Sequence, residues 1–319
     1  MKAAYIEKTG SPENIIIGDL LNPVVNPEEV LVKVEAVSVN HADTFVRSGA
    51  FKTGMNFPFV LGRDAVGTVE QLGKKVTDFQ IGDKVWTNSM GYDGRQGTTS
   101  ELISVPINRL YKIPTGVDML KLVATVHSSA TAVILLNDVL QVESGKNLLI
   151  EGAAGHVGTK LASLGILMGL NITTTSSPDY FQKIQNLGVT DCRDYHENIS
   201  DIHSTFDYIV DTSGRVSLED NLDNLKLGGK IGLITAPSSN KFTFSVRDFY
   251  MNLKAIQGFV ISHATVDQLY GAAQLINKYV KNQFLLDDDI LTLPFSEAAQ
   301  AHKMLEGNTN HKQRIILTF

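Results

Sequence analysis

A glycine-spaced run near the middle of the chain sets the strongest limit on what this sequence can fold into. Residues 147–151 (NLLIE) form an apolar, strand-like segment, and Gly152, Gly155 and Gly158 follow it. Glycines at this spacing let a chain turn sharply from a strand into a helix and bring its backbone close to a ligand. The free amides at the start of such a helix attract phosphate. The run therefore predicts a dinucleotide site, and packing alone is the alternative explanation of the glycines. The predicted contacts are Gly152, Ala153, Ala154, Gly155, His156, Val157 and Gly158.

Short apolar or β-branched runs recur around this turn and are separated by helix-length segments. The predicted strands are residues 147–151, 171–175, 191–195, 206–211, 230–235 and 254–260. Such alternation is typical of a parallel sheet with helical crossovers, and this strand count matches the doubly wound dinucleotide fold. Ligands of that fold lie at the carboxyl ends of the strands. We therefore expect Thr235, Phe259 and Ile261 to contact the cofactor.

The regions on either side of this α/β segment follow other patterns. The first 120 residues are predicted to be mainly β, with strands at residues 29–37, 65–72, 84–87 and 101–105. After His263 we expect a helix at residues 266–281, a second near 296–305, and a closing strand at 313–319. Periodicity alone does not assign this tail to either part of the chain.

Composition excludes several classes of protein. At 319 residues the chain is long enough for two domains, and its net charge of −6 gives no clustered cations for nucleic acid. Charged residues interrupt the first thirty positions, so we expect no signal peptide or membrane span and a cytoplasmic enzyme. Cys192 is the only cysteine, which rules out an intrachain disulfide and a multi-cysteine zinc site within the chain.

The strand after the glycine turn ends on hydroxyl side chains. NADH enzymes usually place a carboxylate there, about 20 residues past the turn, to hold the ribose 2′-hydroxyl. Residues 173–177 (TTTSS) contain no carboxylate, and Ser176 and Ser177 can hydrogen-bond a 2′-phosphate, which favours NADPH. Asp179 lies slightly further on and is also explained as a helix cap after Pro178.

Three segments of the first domain resemble a known family. They are residues 38–49 (SVNHADTFVRSG), 62–69 (GRDAVGTV) and 82–85 (GDKV). With the glycine turn they resemble the medium-chain dehydrogenase/reductase superfamily, specifically its zinc-free quinone oxidoreductase (ζ-crystallin-like) branch, along essentially the whole chain. The resemblance implies a mainly β GroES-like catalytic domain (residues 1–121 and 264–319), a Rossmann cofactor domain (residues 122–263) and a homodimer.

The resemblance also implies chemistry without a metal. Zinc-dependent relatives hold the metal with a cysteine near the position of Asn40 and with a His-Glu pair in the segment matching residues 62–67. This chain has Asn40 and Arg63-Asp64 there, which cannot reproduce a Cys/His zinc shell. The cysteine loop that holds structural zinc in those relatives is missing as well.

The catalytic residues implied by the resemblance are Asn40, Asp43 and Thr131, which match positions lining the nicotinamide and substrate region. An amide at Asn40 is suited to hydrogen-bond a substrate oxygen that gains charge as hydride arrives. Structural alternatives are that Asn40 satisfies a turn and that Asp43 caps a short helix. His41 and His127 have no paired carboxylate at a recognisable spacing, so neither is assigned as a general acid.

At the adenosine end, Tyr195 matches a family tyrosine beside the 2′-phosphate, and Ser176 lies where the branch uses a small or hydroxyl residue. Tyr180 occupies the place where many NADPH-using members carry a lysine, which leaves Arg193 and Lys183 as candidate substitutes.

The function implied is transfer of hydride from NADPH, bound in the crevice between the domains, to a quinone or to the β-carbon of an enal or enone, with the proton supplied by solvent. An alkenal or enoyl reductase would share every motif, and so would a non-catalytic NADPH-binding protein. A zinc alcohol dehydrogenase is disfavoured by Asn40 and Arg63.

Overall fold

The structure is a computed structural model that describes residues 1–197 and 205–319. It divides into two compact units, one formed by Met1–His127 with Thr265–Phe319 and the other by Ser128–Ala264. The strands are β1 (Lys2–Ile6), β2 (Ile16–Asp19), β3 (Glu29–Val39), β4 (Phe59–Val60), β5 (Asp64–Leu72), β6 (Lys84–Thr87), β7 (Leu102–Pro106), β8 (Leu110–Lys112), β9 (Asn147–Glu151), β10 (Asn171–Ser176), β11 (Asp191–Asp194), β12 (Phe206–Asp211), β13 (Leu225–Leu233), β14 (Ala255–Gly258), β15 (Ile290–Pro294) and β16 (Arg314–Thr318). The α-helices are α1 (His41–Ser48), α2 (Met119–Ile134), α3 (His156–Leu167), α4 (Phe181–Asn186), α5 (Leu218–Asp223), α6 (Val246–Met251), α7 (Val266–Lys281) and α8 (Ala298–Glu306).

The first unit is built around strand β3. This strand pairs antiparallel with β5, β7 and β16 within a seven-stranded sheet, and β1, β2 and β4 form a separate three-stranded sheet. Its valines at 30, 32 and 34 are all buried, as the alternating pattern predicts for a strand with one core face. The predicted strands of this region are present, with ends shifted by one or two residues.

The C-terminal tail belongs to the first unit. Strand β16 pairs antiparallel with β3, and β15 lies parallel to β16 at the edge of the same sheet. Helix α7 is joined to the sheet by Asn277, whose side chain accepts a hydrogen bond from the indole Nε1 of Trp86 (3.0 Å) and donates to the carbonyl of Lys112 (3.0 Å). Tertiary pairing therefore settles what periodicity left open.

The second unit is a six-stranded parallel sheet with the order β11-β10-β9-β12-β13-β14. The chain moves outward from β9 in one direction and then returns to continue from β12 in the other. The carboxyl ends of β9 and β12 therefore flank the switch point at which this fold binds ligands. The predicted fold class is confirmed.

Helix α2 continues through a π-helical turn over Leu135–Leu140. Among the described residues, Met119–Leu140 is the one helical segment with the length and apolarity of a membrane span, and 78% of its tested window is buried inside the protein. The core helix of a folded domain has the same properties.

We expect Asn277→Ala to lower the free energy of unfolding by about 1–2 kcal/mol, because it leaves the buried indole N–H of Trp86 without its acceptor. The exposed Gln274 on the same helix provides the control, since Gln274→Ala removes no buried partner. Urea unfolding followed by fluorescence of Trp86, the only tryptophan, measures both variants. Equal midpoints for the two variants would contradict the role of Asn277.

Candidate active site

The turn after β9 can be built only with glycine. Gly152 has φ +73°, and a Cβ there would lie 2.8 Å from Oγ1 of Thr212. A Cβ on Gly158 would lie 2.7 Å from both Cα of Ala153 and the carbonyl oxygen of Gly152. These distances are shorter than real Cβ contacts, so the backbone segments approach closely because side chains are missing.

Helix α3 begins directly after this turn. Gly155 is its N-cap residue and offers no side chain to accept from the first amides, which have no acceptor within the helix either. A twelve-residue helix whose N-terminal amides are left uncapped is a favourable partner for phosphate. The residues of this turn therefore fit a dinucleotide pyrophosphate.

The other predicted cofactor residues lie at the same sheet edge. Thr235 follows β13 and lies against Gly214, where an added Cβ would be 3.2 Å from the threonine Oγ1. Phe259 follows β14 and donates its backbone N–H to the carbonyl of Leu233 (2.9 Å), and Ile261 is buried in the next short turn. All three lie beyond the carboxyl ends of strands that neighbour the switch point.

At the adenosine side, the ends of β10 and β11 are held together. The backbone N–H of Tyr195 donates to the carbonyl of Ser176 (3.1 Å), and the side chain of Tyr195 is 45% exposed. Ser177 donates to Asp179 at 3.4 Å, so that carboxylate already has a local partner. Arg193, one candidate cation for a 2′-phosphate, forms an ion pair with Asp191 at 2.6 Å.

Sequence reasoning missed a buried acid at the foot of the turn. Glu151 is fully buried, and its Oε2 accepts from Nδ2 of Asn221 (2.8 Å) while its Oε1 has no partner among the described residues. Burial, and secondarily the neighbouring Asp211, raises the pKa of Glu151 to about 8. The only sequence signal is a carboxylate closing an apolar strand.

In the first unit, Asn40 is the N-cap residue of α1. Its Nδ2 donates to Oδ2 of Asp64 (2.8 Å) and to Oγ of Ser38 (3.0 Å), and its backbone N–H donates to Asp43 (2.7 Å). The amide hydrogens that we expected to reach a substrate oxygen are thus directed at protein groups. The structure brings Asn40 and Asp43 together, and it shows the capping arrangement that was the structural alternative.

Two buried carboxylates of this cluster have opposite electrostatics. Burial and the charge of Asp64 raise the pKa of Asp43 to about 7. Burial also acts to raise the pKa of Asp64, but His127, Arg63 and the Ser38 hydroxyl outweigh it and lower the pKa overall. Asp64 is therefore the carboxylate that stays ionised.

Arg63 supplies the buried positive charge beside these acids. Its guanidinium donates to Oγ of Ser89 (3.4 Å) and lies 5.5 Å from the ring centroid of Tyr92. Among the residues that the structure describes, no group of three or more His, Cys, Asp or Glu side chains is arranged to hold a metal ion.

His127 was not paired with a carboxylate by sequence spacing, and the structure corrects that. Its Nδ1 lies 3.3 Å from Oδ2 of Asp64, the same oxygen that accepts from Asn40 and Ser38. The partners are 63 positions apart in the sequence, so no local pattern relates them. Thr131 is buried four residues further along α2 and belongs to the second compact unit.

Comparison with known proteins agrees with both halves of this description. Residues 26–115 match the family described as alcohol dehydrogenase GroES-like domain. The quinone oxidoreductase of Sus scrofa is 28% identical over 327 residues, which cover 99% of this chain and 97% of that protein. The chain belongs to the medium-chain dehydrogenase/reductase superfamily. It is an oxidoreductase of that superfamily, in the quinone oxidoreductase branch that the sequence motifs predicted.

Solved structures show that superfamily's fold over the full length. A mycobacterial quinone oxidoreductase matches with a TM-score of 0.85 at 23% identity, covering 100% of both chains. A mycobacterial protein complexed with NADPH matches with a TM-score of 0.84 at 24% identity, again over 100% of both chains.

We expect Glu151→Gln to remove a loss of stability that the wild type suffers as pH rises. The pKa of Glu151 increases from 4.5 to about 8 on folding, so between these values the folded state holds a proton that the unfolded state has released. The free energy of unfolding of the wild type should therefore fall, relative to the variant, by up to about 1.4 kcal/mol per pH unit between pH 5 and 7. Urea unfolding at several pH values measures this difference.

The matched control is Glu143→Gln in the same unit, since the side chain of Glu143 is 72% exposed. Parallel stability curves for the wild type and Glu151→Gln would contradict the prediction.

Proposed function

We propose that this oxidoreductase is a zinc-independent, NADPH-dependent reductase of quinones or related conjugated carbonyls. The observation that carries the proposal is the glycine-only turn at residues 152–158, in which the close backbone approaches and an uncapped helix start suit a dinucleotide pyrophosphate. The name of the full-length relatives supports a quinone acceptor.

Three features support NADPH as the cofactor. The end of β10 carries the hydroxyls of Ser176 and Ser177 in place of the carboxylate that would repel a 2′-phosphate, and Tyr195 lies beside them. Asp179 is engaged by Ser177. In addition, the mycobacterial protein of the same fold was solved complexed with NADPH.

Bound NADPH would supply the hydride, and the chain's own residues would bind and orient the reactants. We propose that Asn40, Asp43 and Thr131 line the nicotinamide and acceptor region. Asn40 then acts by holding Asp64 and the start of α1, since both of its amide hydrogens are already used. Arg63 occupies the position of a zinc ligand in metal-dependent relatives, and its positive charge opposes a cation there.

We expect NADPH to raise the melting temperature at lower concentration than NADH, because ligand binding stabilises the folded state in proportion to affinity. Gly158→Ala should weaken NADPH binding at least about tenfold, since its Cβ forces the backbone of Ala153 away. Gly271→Ala is the matched control, because an added Cβ there meets nothing within 4 Å. If neither nucleotide changed the melting temperature of the wild type, the cofactor assignment would fail.

Acceptor screening under the preferred nucleotide separates the remaining functions. A quinone reductase has its highest kcat/KM on the quinone panel, whereas an alkenal or enoyl reductase has it on the enal and enone panel. A non-catalytic protein binds NADPH but oxidises it with no acceptor. Stoichiometric zinc by elemental analysis would overturn the metal-independent assignment.

We also propose that the protein is a homodimer formed through the β14 edge of the parallel sheet. This edge strand is flanked by exposed apolar side chains, which soluble monomers rarely cluster. They are Leu227, Val246, Tyr250, Met251 and Leu253.

We expect Met251→Glu to convert the dimer to a monomer, because the substitution adds charge to the exposed apolar cluster. Sedimentation velocity measures the change, with the exposed Gln274→Glu as control. A monomeric wild type would remove this proposal.

A further inference from the structure

We infer that His127, oriented by Asp64, is the catalytic residue that donates the proton to the acceptor as it is reduced. The inference deepens the proposed function and rests on it, since it assigns to a side chain the proton that solvent was expected to supply. It starts from the contact between two side chains that lie on different elements of the first unit.

Asp64 is built to hold a histidine in one orientation. It is fully buried at the start of β5, and its Oδ2 accepts from Ser38 (3.0 Å) and from Asn40 (2.8 Å). These two donors fix the oxygen that faces Nδ1 of His127 at 3.3 Å. A carboxylate on one ring nitrogen keeps a proton there and turns the other nitrogen toward the reaction, which is the usual arrangement of a catalytic histidine.

His127 also has the access that proton transfer requires. It is the one residue between positions 122 and 136 that is not buried, and its side chain is 12% exposed. Along α2, Thr131 follows one turn later, and residues four apart share a helix face. Thr131 and Asn40 are the residues proposed to line the acceptor region, and His127 is linked to Asn40 through Asp64.

The charges around the pair are consistent with a cationic donor. Asp64 faces His127 directly, and Asp43, Arg63 and Arg314 act on Asp64 or on its neighbours. Burial raises the pKa of Asp64, but the sum of its partners lowers it, so an ionised carboxylate is present to stabilise an imidazolium. Asp43, by contrast, is fully buried with its Oδ2 on the Asn40 backbone.

The step balances as follows. A hydride from the nicotinamide brings two electrons to the quinone, and one quinone oxygen becomes negative. The Nε2–H bond of the His127 imidazolium breaks, its electron pair stays on nitrogen, and the proton forms the O–H bond of the hydroquinone. His127 is left neutral with its Nδ1 proton facing Asp64, and water returns the Nε2 proton before the next cycle.

The first test uses the cofactor-free wild-type protein and reads no activity. Long-range ¹H–¹⁵N correlation spectra of ¹⁵N-histidine-labelled protein distinguish the two neutral tautomers of each ring. We expect neutral His127 in the Nδ1–H form, because Asp64 accepts at that nitrogen. The Nε2–H tautomer at His127 would overturn the inference. Because the wild type is used, this result does not depend on whether a variant folds.

The second test measures kcat of His127→Gln on benzoquinones whose hydroquinones differ in acidity, under saturating NADPH. We expect a loss of about 100-fold on methyl-substituted quinones, which form basic oxyanions, and a much smaller loss on tetrachlorobenzoquinone, whose oxyanion needs no protonation. Asp64→Asn should show the same dependence with a smaller loss. The control is His311→Asn, an exposed histidine of the same unit. Each variant is compared with the wild type by circular dichroism and by NADPH affinity.

The outcomes separate this inference from the proposed function. An equal loss on every quinone shows a structural role for His127 and overturns the inference, as does no loss at all. In both cases the wild type still reduces quinones, so the proposed function survives. A wild type that binds NADPH and reduces neither quinones nor enals removes the proposed function itself, and the donor role with it.

Discussion

The antiparallel pairing of β3 with β5 is the interaction on which the first unit depends. The register places Ser38 opposite Asp64, and the chain continues from β3 directly into the capping residue Asn40. Both residues then donate to the same carboxylate oxygen. A shift of one residue would send Asp64 to the other face of the sheet and separate it from these donors. Because β16 pairs with the opposite edge of β3, the C-terminal tail also depends on this register.

In the second unit the equivalent constraint is steric. The backbone at Gly152 and Gly158 approaches its neighbours more closely than any side chain permits, and this approach sets where α3 begins. Close packing at the turn leaves little water around Glu151, whose carboxyl is buried with a single amide partner. The geometry that suits a pyrophosphate therefore also raises the pKa of the acid below it.

The first unit uses burial in a different way. Asp43 and Asp64 lie in the same cluster, but only Asp64 faces His127 and is stabilised as an anion by donors from several elements. Asp43 receives the Asn40 backbone amide, and burial with like charge makes it the acid that retains its proton near neutral pH. Two carboxylates with separated pKa values are typical of sites that position one charge and avoid two.

The sequence by itself determined the elements whose causes are local. Glycine spacing after an apolar run identified the dinucleotide turn, the alternation of short strands with helix-length segments identified the parallel sheet, and the motifs around Asn40 identified the superfamily. Only the tertiary structure decided the placement of the tail, the environment of Glu151 and the pairing of His127 with Asp64. These depend on strand register and burial between residues far apart in the chain, and such contacts leave no periodic or local signal in a single sequence.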